Sequence, residues 1–390
     1  MKKFRSLFVC LVFALSFNAR YGTGIISAQL VANEGLAKLA QKIRPDFYLG
    51  SFSSGLNPKS AHNDQLTAIF KNNFNIMTAG IYMQSTQREQ DKFNLDMVDY
   101  LVDWATSNNI KVYFHPMFGG ATYCPEWLRK GTFTKEELQK FMRDRVTYIL
   151  NRYRNKVQYV DVVNESLNRG EMTGDGQFDW RTEDRNGPHP WMKLGMYQGK
   201  KYKFPQYLVD AFKLCREIGG KNLRLVLNEY DNQATVSPRG KIFLALIKAM
   251  KEEGIPVDDA GIQLHCRIID GKFYEWNKKT EFNFDAFDAM LKQYEEAGIN
   301  VHITEFDIHM AENPTEAELQ LEGKCYAEIL KHAIKSPAVK TFKTWGFTDK
   351  YSWKPEQKPV HALLLDESFK PKQAYIQQVE MLKSLAAVKK

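Results

Sequence analysis

Cysteine is scarce in this sequence, five in 390 residues, and no two of the five form a Cys-x-x-Cys pair. That leaves neither a zinc-ribbon spacing nor a dense disulfide framework. Past the N-terminus there is no apolar run of about 18 residues, so no membrane-spanning helix is expected. No Gly-x-Gly-x-x-Gly follows the first strand-like run, and neither a phosphate-loop motif nor His-Glu-x-x-His occurs, so nucleotide-binding and zinc-protease readings lack their parts. No Pro- or Ser-rich stretch divides the chain. Acid is absent from residues 1–28, which hold Lys2, Lys3, Arg5 and Arg20; without them 50 Lys+Arg face 46 Asp+Glu, and the formal charge falls from +8 to +4. So small a surplus, with no dense basic patch, argues against a nucleic-acid partner.

Lys2, Lys3 and Arg5 precede a short apolar stretch from Leu7 to Phe17, the pattern of an export signal. Ser27 and Ala28 offer a cleavage point before Gln29. Residues 1–28 are therefore expected to direct export to the periplasm or the exterior, and residues 29–390 to form the mature domain. Cys10 lies inside the apolar stretch rather than at its end, which argues against lipid attachment there. Cys124, Cys215, Cys266 and Cys325 would remain, with one disulfide among them left open. Oligomeric state cannot be read from the sequence.

Beyond residue 40, short β-branched runs alternate with longer amphipathic segments. The runs are Phe47 to Ser51, Phe74 to Ile81, Lys111 to His115, Gln158 to Glu165, Arg224 to Tyr230, Ala260 to His265, Val301 to Asp307 and Val339 to Phe347. Most are continuously apolar, as strands covered on both faces should be. Helical spacing marks Lys135 to Arg154, where Leu138, Phe141, Met142, Val146 and Ile149 recur every three to four residues. Similar patterns run from Asp96 to Asn108, Tyr207 to Glu217, Arg239 to Glu253, Phe284 to Ala297, Glu316 to Lys335 and Gln373 to Val388. Eight repeats in one undivided chain predict an α/β fold, a single (β/α)8 TIM barrel. The long stretch from Leu167 to Pro205 is either a wall of a binding cleft or an excursion that packs on itself.

Catalytic groups of such barrels sit at the C-terminal ends of strands, and here those ends carry carboxylates. The fourth run ends in Asn164-Glu165, the fifth in Asn228-Glu229, and the seventh holds Glu305 and Asp307. Strands four and seven stand across the mouth from each other, so Glu165 and Glu305 would be opposed. Two opposed carboxylates suit glycoside hydrolysis, one protonating the leaving oxygen and the other attacking or activating water. His265, ending the neighbouring sixth run, is placed to hydrogen-bond Glu305 and Asp307 and keep a nucleophile ionised. Asn164 can donate to a sugar hydroxyl, and Trp345 and Trp353 offer flat faces to a sugar ring, against the plainer reading of core packing. His115, His265 and His302 raise a metal site, but no His-x-His follows the first run and no bridging carboxylate completes a ligand set. No catalytic metal and no cofactor is expected.

These strand-end motifs resemble glycoside hydrolase family 10, whose members include retaining endo-β-1,4-xylanases. The resemblance runs from about Phe47 to Leu382. It rests on VDVVNES around Glu165, LNEYD from Asn228 to Asp231, GIQLH from Gly261 to His265, ITEFDI around Glu305, WGFTDKYSW from Trp345 to Trp353, and HPWMKLG from His189 to Gly195. It implies a TIM barrel, a polysaccharide or oligosaccharide substrate such as xylan, Glu165 as general acid/base and Glu305 as nucleophile. It further implies that His115, Asn164, Asn228, Gln263 and His265 bind the sugar at the point of cleavage or support the nucleophile, with Asp307 behind His265 and Trp345 and Trp353 as an aromatic platform.

Three segments depart from the family. Where it usually reads A-E-N-x-M-K-W after the second strand, this chain has Ala79-Gly80-Ile81-Tyr82-Met83-Gln84-Ser85. After the third strand G-H-x-L-V-W-H becomes Phe114-His115-Pro116-Met117-Phe118-Gly119-Gly120, and Glu229 and Asp231 stand where Asp and Asn are common. Losing hydrogen bonds to sugar hydroxyls costs roughly 1 kcal/mol each, so retaining chemistry on a decorated xylan or related β-glycan is expected. The other readings are a glycan-binding protein that keeps the cleft without turnover, and a transglycosylase.

Overall fold

Val160, Val162, Val163, Leu225, Val226 and Leu227 are fully buried. Branched aliphatic side chains of this kind pack well on a pleated surface covered on both faces. In the computed structural model, which describes residues 34–232, 238–276, 280–353 and 361–388, such runs become eight strands. They are β1 (Tyr48–Phe52), β2 (Ile76–Gly80), β3 (Lys111–His115), β4 (Tyr159–Asn164), β5 (Arg224–Glu229), β6 (Asp259–Ile262), β7 (Val301–His309) and β8 (Val339–Thr344). Each pairs in parallel with its successor, and β8 returns to β1 through Tyr48 opposite Thr341 and Ser51 opposite Thr344. The sheet closes as a TIM barrel and leaves no free edge around its circumference.

The longer helices are α1 (Leu36–Ile43), α2 (Asn63–Asn73), α3 (Asp96–Ser107), α4 (Lys135–Arg152), α5 (Gln206–Gly219), α6 (Pro238–Glu252), α7 (Phe284–Glu296), α8 (Glu316–Lys335) and α9 (Gln373–Val388). Their boundaries fall within a residue or two of the sequence pattern, which carried no signal strong enough for α1 and α2. Thr134 starts α4 with a reciprocal capping box, its hydroxyl accepting from the Glu137 N–H while the Glu137 carboxylate accepts from the Thr134 N–H, worth about 1 kcal/mol. The sixth run departs from expectation. Its strand stops at Ile262, and His265 opens a second segment, His265–Ile269, that pairs in parallel with the end of β7 and in antiparallel with Lys272–Glu275. Between the two segments Leu264 has φ +62°, a left-handed kink that a leucine does not announce in a sequence.

Residues 167–205 are built from hairpins rather than irregular chain. Leu167–Met172 pairs with Phe178–Trp180, Glu183–Asp184 with Gly187–Pro188, and Met196–Gln198 with Lys203–Pro205. Phe178 packs on Trp180, Tyr202 and Phe204, while Arg181 and Arg185 line the cleft at the barrel mouth. The excursion thus does both things the sequence left open. Cys124, Cys215, Cys266 and Cys325 are buried free thiols. No helix among the described residues is long and apolar enough to cross a membrane. Residues 1–33, with the expected export signal, lie outside the described residues.

A buried ion cluster of Glu322, Lys372 and Asp349 ties α8 to the segment that leads into α9. Glu322 on α8 is fully buried, and Lys372 Nζ lies 3.1 Å from its carboxylate and 2.9 Å from that of Asp349. Burial, countered in part by Lys372, pushes Glu322 up to about 7, whereas an unfolded Glu titrates near about 4.3. Between those values the folded chain holds the extra proton, so this group's stabilising contribution is complete below about 4.3 and is lost as pH rises through 7. Glu322→Gln is expected to flatten that decline: between pH 5 and pH 8 its Tm, followed by calorimetry, should fall by a few degrees less than the wild type's. Equal falls in both proteins would contradict this.

Candidate active site

The strand ends of β4, β5, β6 and β7 aim polar side chains into one cleft of about 520 Å³, a size usual for small-ligand sites. Backbone geometry sets the aim. Glu165 directly follows β4 at φ +59°, its N–H still bonded to Asn228 O on β5 at 2.9 Å. Asp231, just past β5, also has positive φ. Non-glycine residues held in this region cost energy and cluster where side-chain direction matters. Glu305 sits inside the fully buried β7, beside an irregularity in the β7–β8 register between Ile303 and Phe306, and its N–H bonds Gln263 O at 3.1 Å.

The two carboxylates stand at opposite ends of a chain of amides. Gln263 Nε2 donates to Glu165 Oε1 at 3.1 Å and to Asn164 Oδ1 at 3.3 Å. Asn228 Nδ2 donates to that same Asn164 oxygen at 2.9 Å and to Glu305 Oε1 at 2.7 Å. Thr304 Oγ1 donates to Asn228 Oδ1 at 2.8 Å and so fixes which way the amide points. The arrangement orients both carboxylates without giving either a proton.

Glu305 meets a charged partner on its other side. His265 Nε2 lies 3.3 Å from Glu305 Oε2, and its Nδ1 lies 2.7 Å from Asp307 Oδ1. Burial alone would lower the imidazole pKa, but Asp307 and Glu305 outweigh it and push His265 up to about 10. Asp307 is held well below the usual carboxylate range: burial opposes this, and His265 and His309 prevail. Trp353 Nε1 donates to Asp307 Oδ2 at 2.8 Å, so that indole also anchors the relay. The His265 imidazolium thus stands between the carboxylates of Glu305 and Asp307. His115 stands behind it, Nδ1 at 2.7 Å from Asp161 Oδ2 and 3.9 Å from Glu305 Oε1. The edge of the His115 ring meets Trp345, which stacks on Phe52 with centroids 4.4 Å apart.

All ten sequence-derived residues therefore meet at this mouth: Glu165, Glu305, His115, Asn164, Asn228, Gln263, His265, Asp307, Trp345 and Trp353. Trp345 is 8% exposed and Trp353 41%, so the first is chiefly packed and the second presents an open face. His115, His265 and His302 do not converge. His302 lies elsewhere in the barrel, with Thr341 and Asp259, and no group of three or more potential ligands gathers a metal among the described residues.

Sequence reasoning missed Tyr82, Tyr123 and Arg181. Tyr123 OH donates to Glu165 Oε1 at 3.2 Å and accepts from Asn164 Nδ2 at 2.8 Å. Its ring lies parallel to that of Tyr82 at 5.9 Å, and Tyr82 meets His115 edge-on. The two glycines that displace the family's bulkier residues make room for this. A Cβ on Gly119 would come within 2.4 Å of the Tyr123 ring, and one on Gly120 within 2.7 Å of Asp184 Oδ2, which accepts from the Thr122 N–H at 2.8 Å. A pair of glycines followed closely by a tyrosine, where bulky residues are usual, was the available signal. Glu229, the other departure, is fully buried and accepts from Ser166 Oγ, Leu167 N–H and Arg239 Nη2; its extra methylene, relative to Asp, reaches the Arg239 guanidinium.

Comparison with known proteins adds the following. The model of glycosyl hydrolase family 10 matches residues 38–381. Endo-1,4-beta-xylanase B of Thermotoga neapolitana is 27% identical over 353 residues, 89% of this chain and 91% of that protein. Endo-1,4-beta-xylanase 2 of Aureobasidium pullulans is 24% identical over 374 residues, 95% of this chain and 96% of that protein. The crystal structure of native xylanase 10B from Thermotoga maritima superposes with a TM-score of 0.76 at 26% identity, covering 91% of this chain and 99% of that one. Xylanase 10B from Thermotoga petrophila in complex with xylobiose gives 0.76 at 27% identity, covering 91% and 98%.

Proposed function

The chain belongs to glycosyl hydrolase family 10, and from that premise we propose that it hydrolyses β-1,4-linked xylan or a closely related decorated β-glycan with retention of anomeric configuration. Glu305 attacks the anomeric carbon while Glu165 protonates the leaving oxygen. Glu165, now a base, then directs water onto the glycosyl-enzyme intermediate. The observation that carries this reading is the link Glu165–Gln263–Asn164–Asn228–Glu305, which orients two carboxylates across one cleft, with only Glu305 facing an imidazolium. The substrate class is supported by the names of the relatives, all xylanases, and by the xylobiose held by one of them.

Residues 29–390 act as one catalytic barrel, and residues 1–28 serve export, in keeping with Lys2, Lys3 and Arg5 ahead of an apolar stretch. Gly80, Ile81 and Gln84 stand where the family usually places a Glu, an Asn and a Lys toward the sugars on the non-reducing side, so the preferred glycan differs from plain xylan. Product release from xylan, glucuronoarabinoxylan, mixed-linkage glucan, mannan and algal polysaccharides, run beside Glu305→Ala, tests the reading. The expected outcome is activity on one xylan-type polymer, abolished in the variant. Silence across the panel with binding retained would refute hydrolysis, and full activity on unsubstituted xylan would refute the altered preference.

A further inference from the structure

Arg181 enters the cleft from the excursion that follows β4. Its own N–H bonds Ser166 O at 2.8 Å, which pins the residue beside Glu165. The guanidinium is fully engaged at its tip: Nη1 donates to Glu165 Oε2 at 2.8 Å, and Nη2 to Tyr230 OH at 2.7 Å. Burial works against its charge, but Glu165, Tyr230 and Glu229 outweigh that and leave Arg181 above its usual pKa. Arg185 lies four residues on, across the turn of the Glu183–Pro188 ladder. It is exposed, faces the same cleft and forms no ion pair among the described residues.

This geometry sits badly with the role given to Glu165. A general acid must be free to reach the leaving oxygen, and here Glu165 Oε2 is taken up by the Arg181 guanidinium at 2.8 Å. Removing the guanidinium without a replacement would leave a mostly buried cation unpaired, which is costly. An incoming carboxylate resolves both difficulties. It matches the planar fork of the guanidinium and keeps Arg181 paired when Glu165 is released. Two of the neighbouring acids are already taken: Glu305 faces His265 and Asn228, and Glu229 is bound by Arg239.

We propose that the cleft accepts a β-glycan carrying a uronic-acid branch, and that the branch carboxylate takes the Arg181 guanidinium from Glu165. Released, Glu165 takes a proton from solvent, passes it to the glycosidic oxygen as that bond breaks, and recovers one from the attacking water in the second step. Unpaired Arg185 attracts the same branch during approach. Arg181 is a positioning residue for Glu165 and a specificity residue for the branch. The proposal rests on Glu165 being the acid/base.

The test compares a uronic-acid-branched xylo-oligosaccharide with the same compound after carboxyl reduction, which keeps the branch but removes its charge. Wild type is expected to favour the acid form by at least about tenfold in kcat/KM, the scale of one charge-assisted bidentate contact, with part of the gain in kcat. In Arg181→Gln the ratio should fall to about one, and kcat on the reduced compound should rise above wild type, which a merely structural role would not produce. A second measurement does not need turnover: calorimetric affinity of Glu305→Gln for the two compounds, expected to favour the acid form and to lose that preference when Arg181→Gln is added. Equal wild-type rates on both compounds, or a preference that survives Arg181→Gln, would overturn the proposal. Absence of hydrolysis on both compounds would instead overturn the proposed hydrolysis of xylan-type chains, and the calorimetric ratio then decides the carboxylate site by itself.

Discussion

Glu305→Gln is expected to lower kcat on the preferred polymer by about 10⁴- to 10⁶-fold, the scale seen when a covalent nucleophile is removed. An amide cannot form the glycosyl ester, and the remaining groups at the mouth supply binding and proton transfer only. The substitution keeps shape. The glutamine oxygen still accepts from Asn228 Nδ2, which lies 2.7 Å from Glu305 Oε1, and His265 retains Asp307 at 2.7 Å. Because one buried charge is removed from a group of three, the fold should survive with a Tm within a few degrees of wild type. KM on the polymer should change little, since the lost interaction acts on the transition state. Steady-state kinetics beside a thermal melt separate loss of chemistry from loss of structure. A variant with more than a hundredth of wild-type kcat would remove Glu305 from the mechanism.

Glu165→Ala is expected to divide substrates by their leaving groups. On the polymer, where the departing alkoxide needs a proton, kcat should fall by about 10²- to 10⁴-fold. On an aryl glycoside with an acidic phenol the first step needs no acid, so Glu305 is still glycosylated at near wild-type rate. The second step then lacks its base, the intermediate accumulates, and kcat and KM fall together. Azide, a small nucleophile that needs no deprotonation, should restore turnover and yield the β-glycosyl azide. Loss of activity on both substrate types in equal measure, with no azide rescue, would contradict the assignment of Glu165. The two variants thus differ in kind: azide can bypass the base but cannot bypass a missing nucleophile.

The parts of this site that the sequence disclosed are those tied to strand periodicity. Val160, Val162, Val163 and Leu225 to Leu227 are fully buried and apolar, with Asp161 the one interruption, so the polar residues that follow, Asn164-Glu165 and Asn228-Glu229, stand out as ends. The same logic finds Glu305 inside the fully buried β7, where nothing but function or a compensating partner explains a carboxylate. Arg181 had no such frame. It lies between two short hairpins, in a segment whose strands run two to six residues, and its approach to Glu165 depends on the Ser166 O contact across the loop. The position of His265 was read correctly but its setting was not, because the kink at Leu264 detaches it from β6 and docks it on β7. Tyr82 was visible only as part of a segment that departs from the family pattern, and Tyr123 not at all; that their rings stack, and that Tyr123 reaches Glu165, emerges from close packing over Gly119.

The central claim is that Glu305 forms a covalent bond to the sugar, and trapping that bond tests it most directly. A 2-deoxy-2-fluoro xylobioside with an activated leaving group slows both steps by destabilising the oxocarbenium-like transition state, while the leaving group lets the first step proceed, so the intermediate accumulates. Mass spectrometry of the digested protein is expected to place one fluoroglycosyl group on the peptide holding Glu305, and none in Glu305→Gln. No adduct in a preparation that hydrolyses the parent glycoside, or an adduct on another carboxylate, would contradict the account.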